Sequence, residues 1–170
     1  MVFSHRSEGT PSPASITKQA VTLWLATLRR YLFFVLDANF VWEILQLPTF
    51  ADWREGGWRW LTFIVAIGTA GDVAIAATSL VFGLVVFGDE RWPAMDASYW
   101  RVAVAASVFG LGYTTYSEWR HAVVLRDWTY SALMPVVPGL GVGVFPLLQW
   151  ILIPAAAFYY ARAGFRDALH

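Results

Sequence analysis

The sequence has no cysteine, which excludes disulfide bridges, thiolate-bound metals and a cysteine nucleophile. Charge is also scarce: 14% of the 170 residues are charged, whereas a soluble domain carries about a quarter. The 12 basic residues balance the 12 acidic ones, so the chain has no net positive charge to attract a nucleic acid. We therefore expect no DNA or RNA partner.

Residues for the common cofactor sites are few as well. His5 and His170 lie in the tails and His121 lies at a helix end, so no pair of histidines can bind a haem or a zinc ion. The only lysine, Lys18, precedes the first apolar stretch of membrane length, which removes a Schiff-base site within such a stretch. A carboxylate-rich site could hold Mg²⁺ or Ca²⁺, but no dedicated loop for either ion is present. We expect neither a metal nor a cofactor.

Apolar residues are abundant, with 58% hydrophobic and 17% aromatic. They concentrate in four stretches of roughly 20 residues or more, enough for a helix to cross a hydrocarbon core about 30 Å thick. The sequence predicts an all-α polytopic membrane protein whose partner is the lipid bilayer, namely a four-transmembrane-helix bundle. The expected spans are 31–50, 60–88, 99–119 and 140–161, within a single domain at 16–170.

The N-terminal region is predicted to lie outside the bundle. Residues 1–15 are rich in serine, proline and glycine and are expected to form a disordered cytoplasmic tail rather than a signal peptide, because no basic start leads directly into an apolar run. The apolar segment Ile16 to Leu28 ends at Arg29 and Arg30. It is either an interfacial helix or an extension of the first span.

The basic residues predict the orientation. Eight lie on the side shared by both termini and the middle loop, and four lie on the other side, which places both termini in the cytoplasm and the chain in a bacterial inner membrane. The two groups are Arg6, Lys18, Arg29, Arg30, Arg91, Arg101, Arg162 and Arg166, and then Arg54, Arg59, Arg120 and Arg126.

Polar residues that are costly in lipid interrupt all four predicted spans, at Glu43, Asp72, Glu118 and Gln149. Because the helices alternate in direction, these groups share the non-cytoplasmic half of the bundle. We predict that Glu43, Asp72 and Gln149 converge on one cavity, and that any opening of this cavity faces that side. The three carboxylic acids are the candidate catalytic residues.

Other polar and aromatic residues are candidates for binding a ligand. Asn39 and Gln46 share a helix face with Glu43 through i, i+4, i+7 spacing. Asp37 points elsewhere, and either lies deeper in the same cavity or faces Asp72. The predicted ligand-binding residues are Asn39, Trp42, Gln46, Thr114, Trp128, Tyr130, Gln149 and Trp150.

Structural roles are the alternative for these residues. Small residues such as Gly68 and Gly110 allow membrane helices to approach closely, and packing is the simpler interpretation of them. Glu118 could join an interfacial ion pair with its neighbours Arg120 and His121. Glu43 and Asp72 could form a structural hydrogen bond or ion pair.

The segment between the third and fourth spans is too apolar for a solvated loop and too rich in proline and glycine for a continuous helix. We predict a re-entrant or interfacial cap that includes Trp128 and Tyr130, and an aromatic belt at the membrane surface is the alternative. Pro146 and Pro154 flank Gln149 and are expected to kink the fourth span.

Several short motifs carry a resemblance to known proteins. The strings Trp42-Glu43-x-x-Gln46-Leu47-Pro48, Gly71-Asp72, Glu118-Trp119, Trp128-x-Tyr130-x-x-x-Met134-Pro135 and Pro146-Leu147-Leu148-Gln149-Trp150 resemble a set of uncharacterised bacterial four-span membrane proteins. The likeness covers residues 35–162 and implies a fold but no activity. The chain is more distantly similar to lycopene-cyclase-type carotenoid-biosynthesis membrane proteins, which carry paired acids where this chain has Gln149.

Two classes of function fit these patterns. In the first, Glu43 and Asp72 donate and accept protons in a desolvated pocket that binds a small apolar lipid or isoprenoid-like ligand. In the second, the same acids form a relay in a proton-coupled transporter or channel component. The cytoplasmic halves of two spans, 81–87 and 154–160, are apolar, which favours a closed pocket. A structural subunit of a membrane complex, with an unknown protein partner, is the third possibility.

Overall fold

The computed structural model describes residues 13–89 and 92–167. Over these ranges the chain is helical apart from turns and two isolated β-bridges, which confirms the predicted all-α class. Most of the predicted tail, 1–12, lies outside the described residues, as do His5 and His170. Pro13 to Ser15 already belong to the first helix.

Four long helices and one single-turn helix account for most of the described chain. Their bounds are α1 (Pro13–Gln46), α2 (Asp52–Glu55), α3 (Trp58–Phe87), α4 (Asp96–Glu118) and α5 (Val144–Asp167).

Helix α1 is longer than the first predicted span, because Ile16 to Leu28 form its N-terminal part. The helix continues through Arg29 and Arg30, so this segment is an extension of the first predicted span rather than a separate interfacial helix. Arginine is a good helix former, and α1 contains no glycine or proline after its first residue. Pro48 then prevents continuation, and a 3₁₀ turn at Leu47–Thr49 follows α1.

Helices α4 and α5 also differ from the predicted spans, at the end of α4 and at the start of α5. Helix α4 continues beyond Glu118 as a π-helix, Trp119–Leu125. Helix α5 begins at Val144 rather than at residue 140, because Gly139 and Gly141 adopt φ angles of +78° and +72°. Pro146 falls in the first turn of α5, where a missing N–H is tolerated, and Pro154 lies in its interior.

The four long helices form a bundle in which each packs against two others, in the circular order α1, α3, α4 and α5. The core near the chain termini is mainly apolar and aromatic, with Val35, Tyr99, Val102 and Phe158 almost fully buried. The buried polar residues there are Thr27, Ser79, Ser98 and Arg162. This end of the bundle is filled by side chains.

The outer surface of the bundle is apolar. Large hydrophobic side chains are exposed on every long helix, including Leu45 at 71%, Val85 at 79%, Val108 at 65% and Ile151 at 51%. In the described part of the chain, two helices are long and apolar enough to cross a membrane: α3 and, over Val144–Ala163, α5. Charged residues interrupt the apolar stretches of α1 more often, and α4 contains many glycines, serines and threonines.

Candidate functional site

The centre of the site is a pair of carboxyl groups, one from α1 and one from α3. Glu43 and Asp72 lie within hydrogen-bonding distance of each other, and both side chains are half-buried. The Glu43 carboxyl group occupies the space beside Gly68, where an added Cβ would lie 2.9 Å from Glu43 Oε2. The absent side chain at Gly68 therefore allows the two acids to meet.

Helix α5 supplies the amide that holds Asp72. Gln149 Nε2 donates hydrogen bonds to Asp72 Oδ2 and to Asn39 Oδ1, each at 2.7 Å. Asn39 in turn donates to the carbonyl oxygen of Val35 at 2.7 Å. Because Asn39 and Gln149 are buried, this network fixes Asp72 relative to three helices.

A second amide holds Glu43 from within its own helix. Gln46 Nε2 donates to Glu43 Oε1 at 2.8 Å, and the indole Nε1 of Trp42 donates to Gln46 Oε1 at 3.1 Å. The i, i+3 and i, i+4 spacings bring these side chains onto one face of α1. Each acid of the pair is thus held by a glutamine.

The carboxyl pair lies on the wall of a cavity of about 380 Å³, which we call the acidic cavity. Its wall is formed by α1 and the turn that follows it, α3, α4 and the segment after the π-helix. The lining residues are Glu43, Gln46, Leu47, Phe50, Ile64, Ile67, Gly68, Gly71, Asp72, Ile75, Thr114, Ser117, Glu118 and Trp128.

Glu118 faces this cavity from α4 and is held by Tyr130. The Tyr130 hydroxyl donates to Glu118 Oε2 at 2.5 Å and accepts the Gly143 N–H at 3.0 Å. Burial, followed by the hydrogen bond and charge of Glu118, raises the pKa of Tyr130, so the phenol stays protonated and remains a donor at neutral pH. The neighbour His121 pairs with Asp127 instead, at 2.6 Å. Tyr130, rather than a basic neighbour, is the direct partner of Glu118.

Residues 126–143, which we call the cap, cover this end of the bundle. Ser131 Oγ donates to the Pro48 carbonyl at 2.8 Å, and the Ser131 N–H donates to Thr49 at 2.8 Å. Trp128 lines the cavity and stacks on His121, with ring centroids 4.8 Å apart. The cap is thus hydrogen-bonded to the turn after α1 and contributes one wall of the cavity.

One buried hydroxyl on the cavity wall is not used within the described chain. Thr114 is 7% exposed, and its Oγ1 has no hydrogen-bond partner among the residues that the structure describes. Buried polar atoms are normally hydrogen-bonded, so this hydroxyl is an unpaired polar group in the cavity wall.

The predicted catalytic and ligand-binding residues occupy two kinds of position. The three acids and Gln46, Thr114 and Trp128 line the cavity. The other five predicted ligand-binding residues lie behind its wall or beside it, because their polar groups are directed at other side chains or their rings are packed in the core: Asn39, Trp42, Tyr130, Gln149 and Trp150.

Asp37 lies in neither of the predicted places. It is exposed on the outside of the bundle, in a groove between α1 and α5, because it lies on a different face of α1 from Asn39 and Glu43. Ser117 and the apolar residues of the cavity wall were not predicted from the sequence. Ser117 directly precedes Glu118, but aliphatic residues that line a cavity have no pattern that distinguishes them from residues facing lipid.

Below the Gln149 network the bundle is closed. Val35, Ala76 and Ile153 pack around Asn39 and Gln149 and leave no space for a water molecule. In the described chain, no three carboxylate or imidazole groups come close enough together to hold a metal ion.

Comparisons with known proteins provide no relative: no protein-family model, no curated protein and no solved structure matches this chain. The resemblance to bacterial four-span proteins and to lycopene-cyclase-type proteins therefore stays a prediction. The candidate site rests on the geometry above.

Proposed function

We propose that this chain is a four-span membrane protein whose acidic cavity binds a small, largely apolar ligand and exchanges protons with it. The exposed hydrophobic side chains on all four long helices support a lipid environment. Each of these helices has 23 residues or more, enough to cross the ~30 Å hydrocarbon core. The distribution of basic residues favours the inner membrane with both termini in the cytoplasm.

The size and lining of the acidic cavity support a small ligand. Its volume of about 380 Å³ is within the ~300–1,000 Å³ typical of ligand pockets. Most of the wall surface is apolar, six of the fourteen lining residues are isoleucine, leucine, phenylalanine or tryptophan, and six lining residues have polar side chains. This combination suits a lipid or isoprenoid-like molecule with one polar or unsaturated centre.

The observation that carries the proposed chemistry is the contact between Glu43 and Asp72. Two carboxylates at this separation repel, so the pair holds a proton between them. One group can then give a proton to the ligand while the other accepts one from it, with no net gain or loss of protons. Gln46 and Gln149 are positioning residues that keep the two carboxyl groups aligned.

The apolar packing below Gln149 favours this pocket over a proton-coupled transporter or channel component. A conduction path would need a continuous row of polar groups or water below the carboxyl pair, whereas Val35, Ala76 and Ile153 fill the interior directly below Gln149 and leave no space for water. The acids therefore serve a ligand that enters and leaves from the non-cytoplasmic end.

Extraction of the purified protein, followed by mass spectrometry, tests ligand binding. We expect a small apolar molecule to copurify with the wild type. Ile67→Trp, at the edge of the cavity, should lower the ligand content severalfold. Val85→Trp is the matched control, because Val85 is also exposed on α3 but lies outside the cavity. Equal ligand content in both variants would remove the cavity as the binding site.

The carboxyl variants test the chemistry separately. Glu43→Gln and Asp72→Asn keep hydrogen-bonding capacity but cannot exchange protons as carboxyl groups do. We expect both variants to stay folded and to retain a ligand whose chromatographic retention differs from that of the wild-type ligand, because it has not reacted. If the extracted molecule is the same in all three proteins, the acid/base role is wrong and a neutral binding role is left.

A further inference from the structure

An acidic residue lies on the outer, apolar surface of α1. Asp37 is exposed, and no described residue forms a hydrogen bond or ion pair with its carboxylate. Its surroundings are hydrophobic, with Phe33 58%, Val41 53% and Leu45 71% exposed. A carboxylate facing lipid at mid-membrane costs about 2.5–3.5 kcal/mol or more, so an intramembrane acid normally faces a partner.

The surface around Asp37 is concave. A groove of about 570 Å³ runs between α1 and α5, and we call it the α1–α5 groove. Its lining residues are Arg29, Arg30, Phe33, Phe34, Asp37, Ala38, Val41, Trp42, Leu45, Ile153 and Tyr160. One stripe with four-residue spacing, Phe33, Asp37, Val41 and Leu45, follows its length, and such a stripe forms the ridge that packs against another helix.

Charge and depth together select the occupant of this groove. Arg29 and Arg30 lie at its cytoplasmic end, and Arg30 stacks over Tyr160 with its guanidinium carbon 5.8 Å from the ring centroid. Asp37 is seven residues beyond Arg30, which places it about 10 Å deeper in the membrane. The groove therefore presents positive charge near the surface and negative charge near mid-depth.

Two simple occupants do not match this pattern. A phospholipid can place its phosphate beside the arginines, but its acyl chain offers neither a donor nor a positive charge to Asp37. A second copy of the chain has the same orientation in the membrane. A symmetric contact through this face would therefore bring the two Asp37 carboxylates together, with each arginine pair about 10 Å away.

We propose that the α1–α5 groove docks a transmembrane helix of another protein that carries a lysine or arginine at mid-membrane depth, paired with Asp37. The apolar stripe provides the packing surface, and Ala38 lets the partner backbone approach closely. The arginines favour an acidic residue in the partner about two helical turns closer to the cytoplasm. This inference rests on the proposed membrane location but not on the chemistry of the acidic cavity.

Labelled synthetic helices provide the probe. The wild type, reconstituted in phosphatidylcholine vesicles, is mixed with a leucine-rich transmembrane peptide that has one central lysine, and association is measured by fluorescence energy transfer. Peptides with a central leucine or glutamate are the controls. We expect the lysine peptide to bind about three- to tenfold more tightly than the leucine peptide, the range that polar contacts between membrane helices provide.

Variants of Asp37 assign this preference to one residue. Asp37→Asn should abolish it, and Asp37→Lys should transfer it to the glutamate peptide. Phe40→Asn is the matched control, because Phe40 is exposed on α1 outside the groove, and it should keep the wild-type preference. Circular dichroism and size-exclusion profiles confirm that each variant is folded.

Several results would overturn the proposal. Equal binding of the lysine and leucine peptides, or a preference that persists in Asp37→Asn, removes the role of Asp37. Self-association of labelled protein that Val41→Trp abolishes would assign the groove to a second copy. Retention of anionic lipid that depends on Arg29 and Arg30, without peptide binding, would assign it to a phospholipid. Failure to insert into vesicles contradicts the membrane location itself, whereas loss of the extracted ligand concerns only the acidic cavity.

Discussion

The position of the Glu43 carboxyl group depends on a residue without a side chain. Gly68 contacts it directly, and a methyl group there would lie 2.9 Å from Oε2, closer than van der Waals contact allows. Glu43 would have to move away, and its contact with Asp72 would be lost.

Gly68→Ala should therefore impair the site more than the fold. We expect at least a severalfold loss of ligand content and a small change in melting temperature, measured by extraction and by thermal unfolding in detergent. Gly71→Ala is the control, because Gly71 lines the same cavity but has nothing within 4 Å of an added Cβ. Equal effects of the two variants would contradict the proposed steric role.

Gln149 should contribute mainly to stability. Gln149→Leu has a similar volume but leaves Asp72 and Asn39 without their donor, which should cost about 1–3 kcal/mol. Thermal or denaturant unfolding measures the loss, with Leu148→Ala, at a surface position, as the comparison. An unchanged unfolding free energy would show that the amide network does not hold the three helices together.

The sequence predicted the polar residues of the site better than their partners. Glu43, Asp72 and Glu118 stand out because acids are rare in apolar stretches, and helical spacing placed Asn39 and Gln46 beside Glu43. The direction of each side chain was not predictable in the same way. That Asp37 faces outward could not be predicted, because no pattern within a single helix reveals which of its faces the neighbouring helices cover.

At the scale of helices, α4 and α5 meet at a glycine. A Cβ at Gly110 would overlap the ring of Trp150, which is 3% exposed and lies beside the Gln149 network. Gly110→Ala should destabilise the bundle by about 1–3 kcal/mol, the usual cost of overpacking. Gly112→Ala, where nothing lies within 4 Å, should change stability by less than about 1 kcal/mol. Unfolding measurements on both variants would contradict this packing if Gly110→Ala were the milder change.

The cap should depend on the Tyr130 hydroxyl. Tyr130→Phe removes the donor to Glu118 and the acceptor for Gly143, so the cap should open more often and become more sensitive to proteolysis. Tyr113→Phe, at an exposed position on α4, is the control. Cap proteolysis at the wild-type rate in Tyr130→Phe would show that other contacts hold the cap.

Helix positions were largely predictable and helix ends were less so. Apolar stretches located α3 and α4 within three residues at each end, and Pro48 marked the end of α1. The extension of α1 through Arg29 and Arg30 was left open, because charged residues interrupt an apolar pattern without interrupting a helix. The π-helix after α4 has no sequence pattern of its own.

For the whole molecule, the missing cysteines offer a direct test of topology. Single cysteines at Ala20 and Ala132, both exposed, would lie on opposite sides of the membrane in the proposed arrangement. In intact cells a membrane-impermeant maleimide should label Ala132→Cys but not Ala20→Cys, and permeabilised cells should show both. Labelling of both in intact cells, or of Ala20→Cys alone, would contradict the proposed orientation.

The π-helix at Trp119–Leu125 makes the bundle tolerant of a change in chain length at this point. Each residue of a π-helix turns the chain through a smaller angle than a residue of an α-helix, so an inserted residue is accommodated without a break. Deleting one residue from this segment would let it relax to an α-helix with little rotation of Trp128 and the rest of the cap around the axis of α4. A single deletion here should therefore be tolerated, whereas a single deletion within α4, which turns all that follows by about 100°, should move the cap away from the acidic cavity.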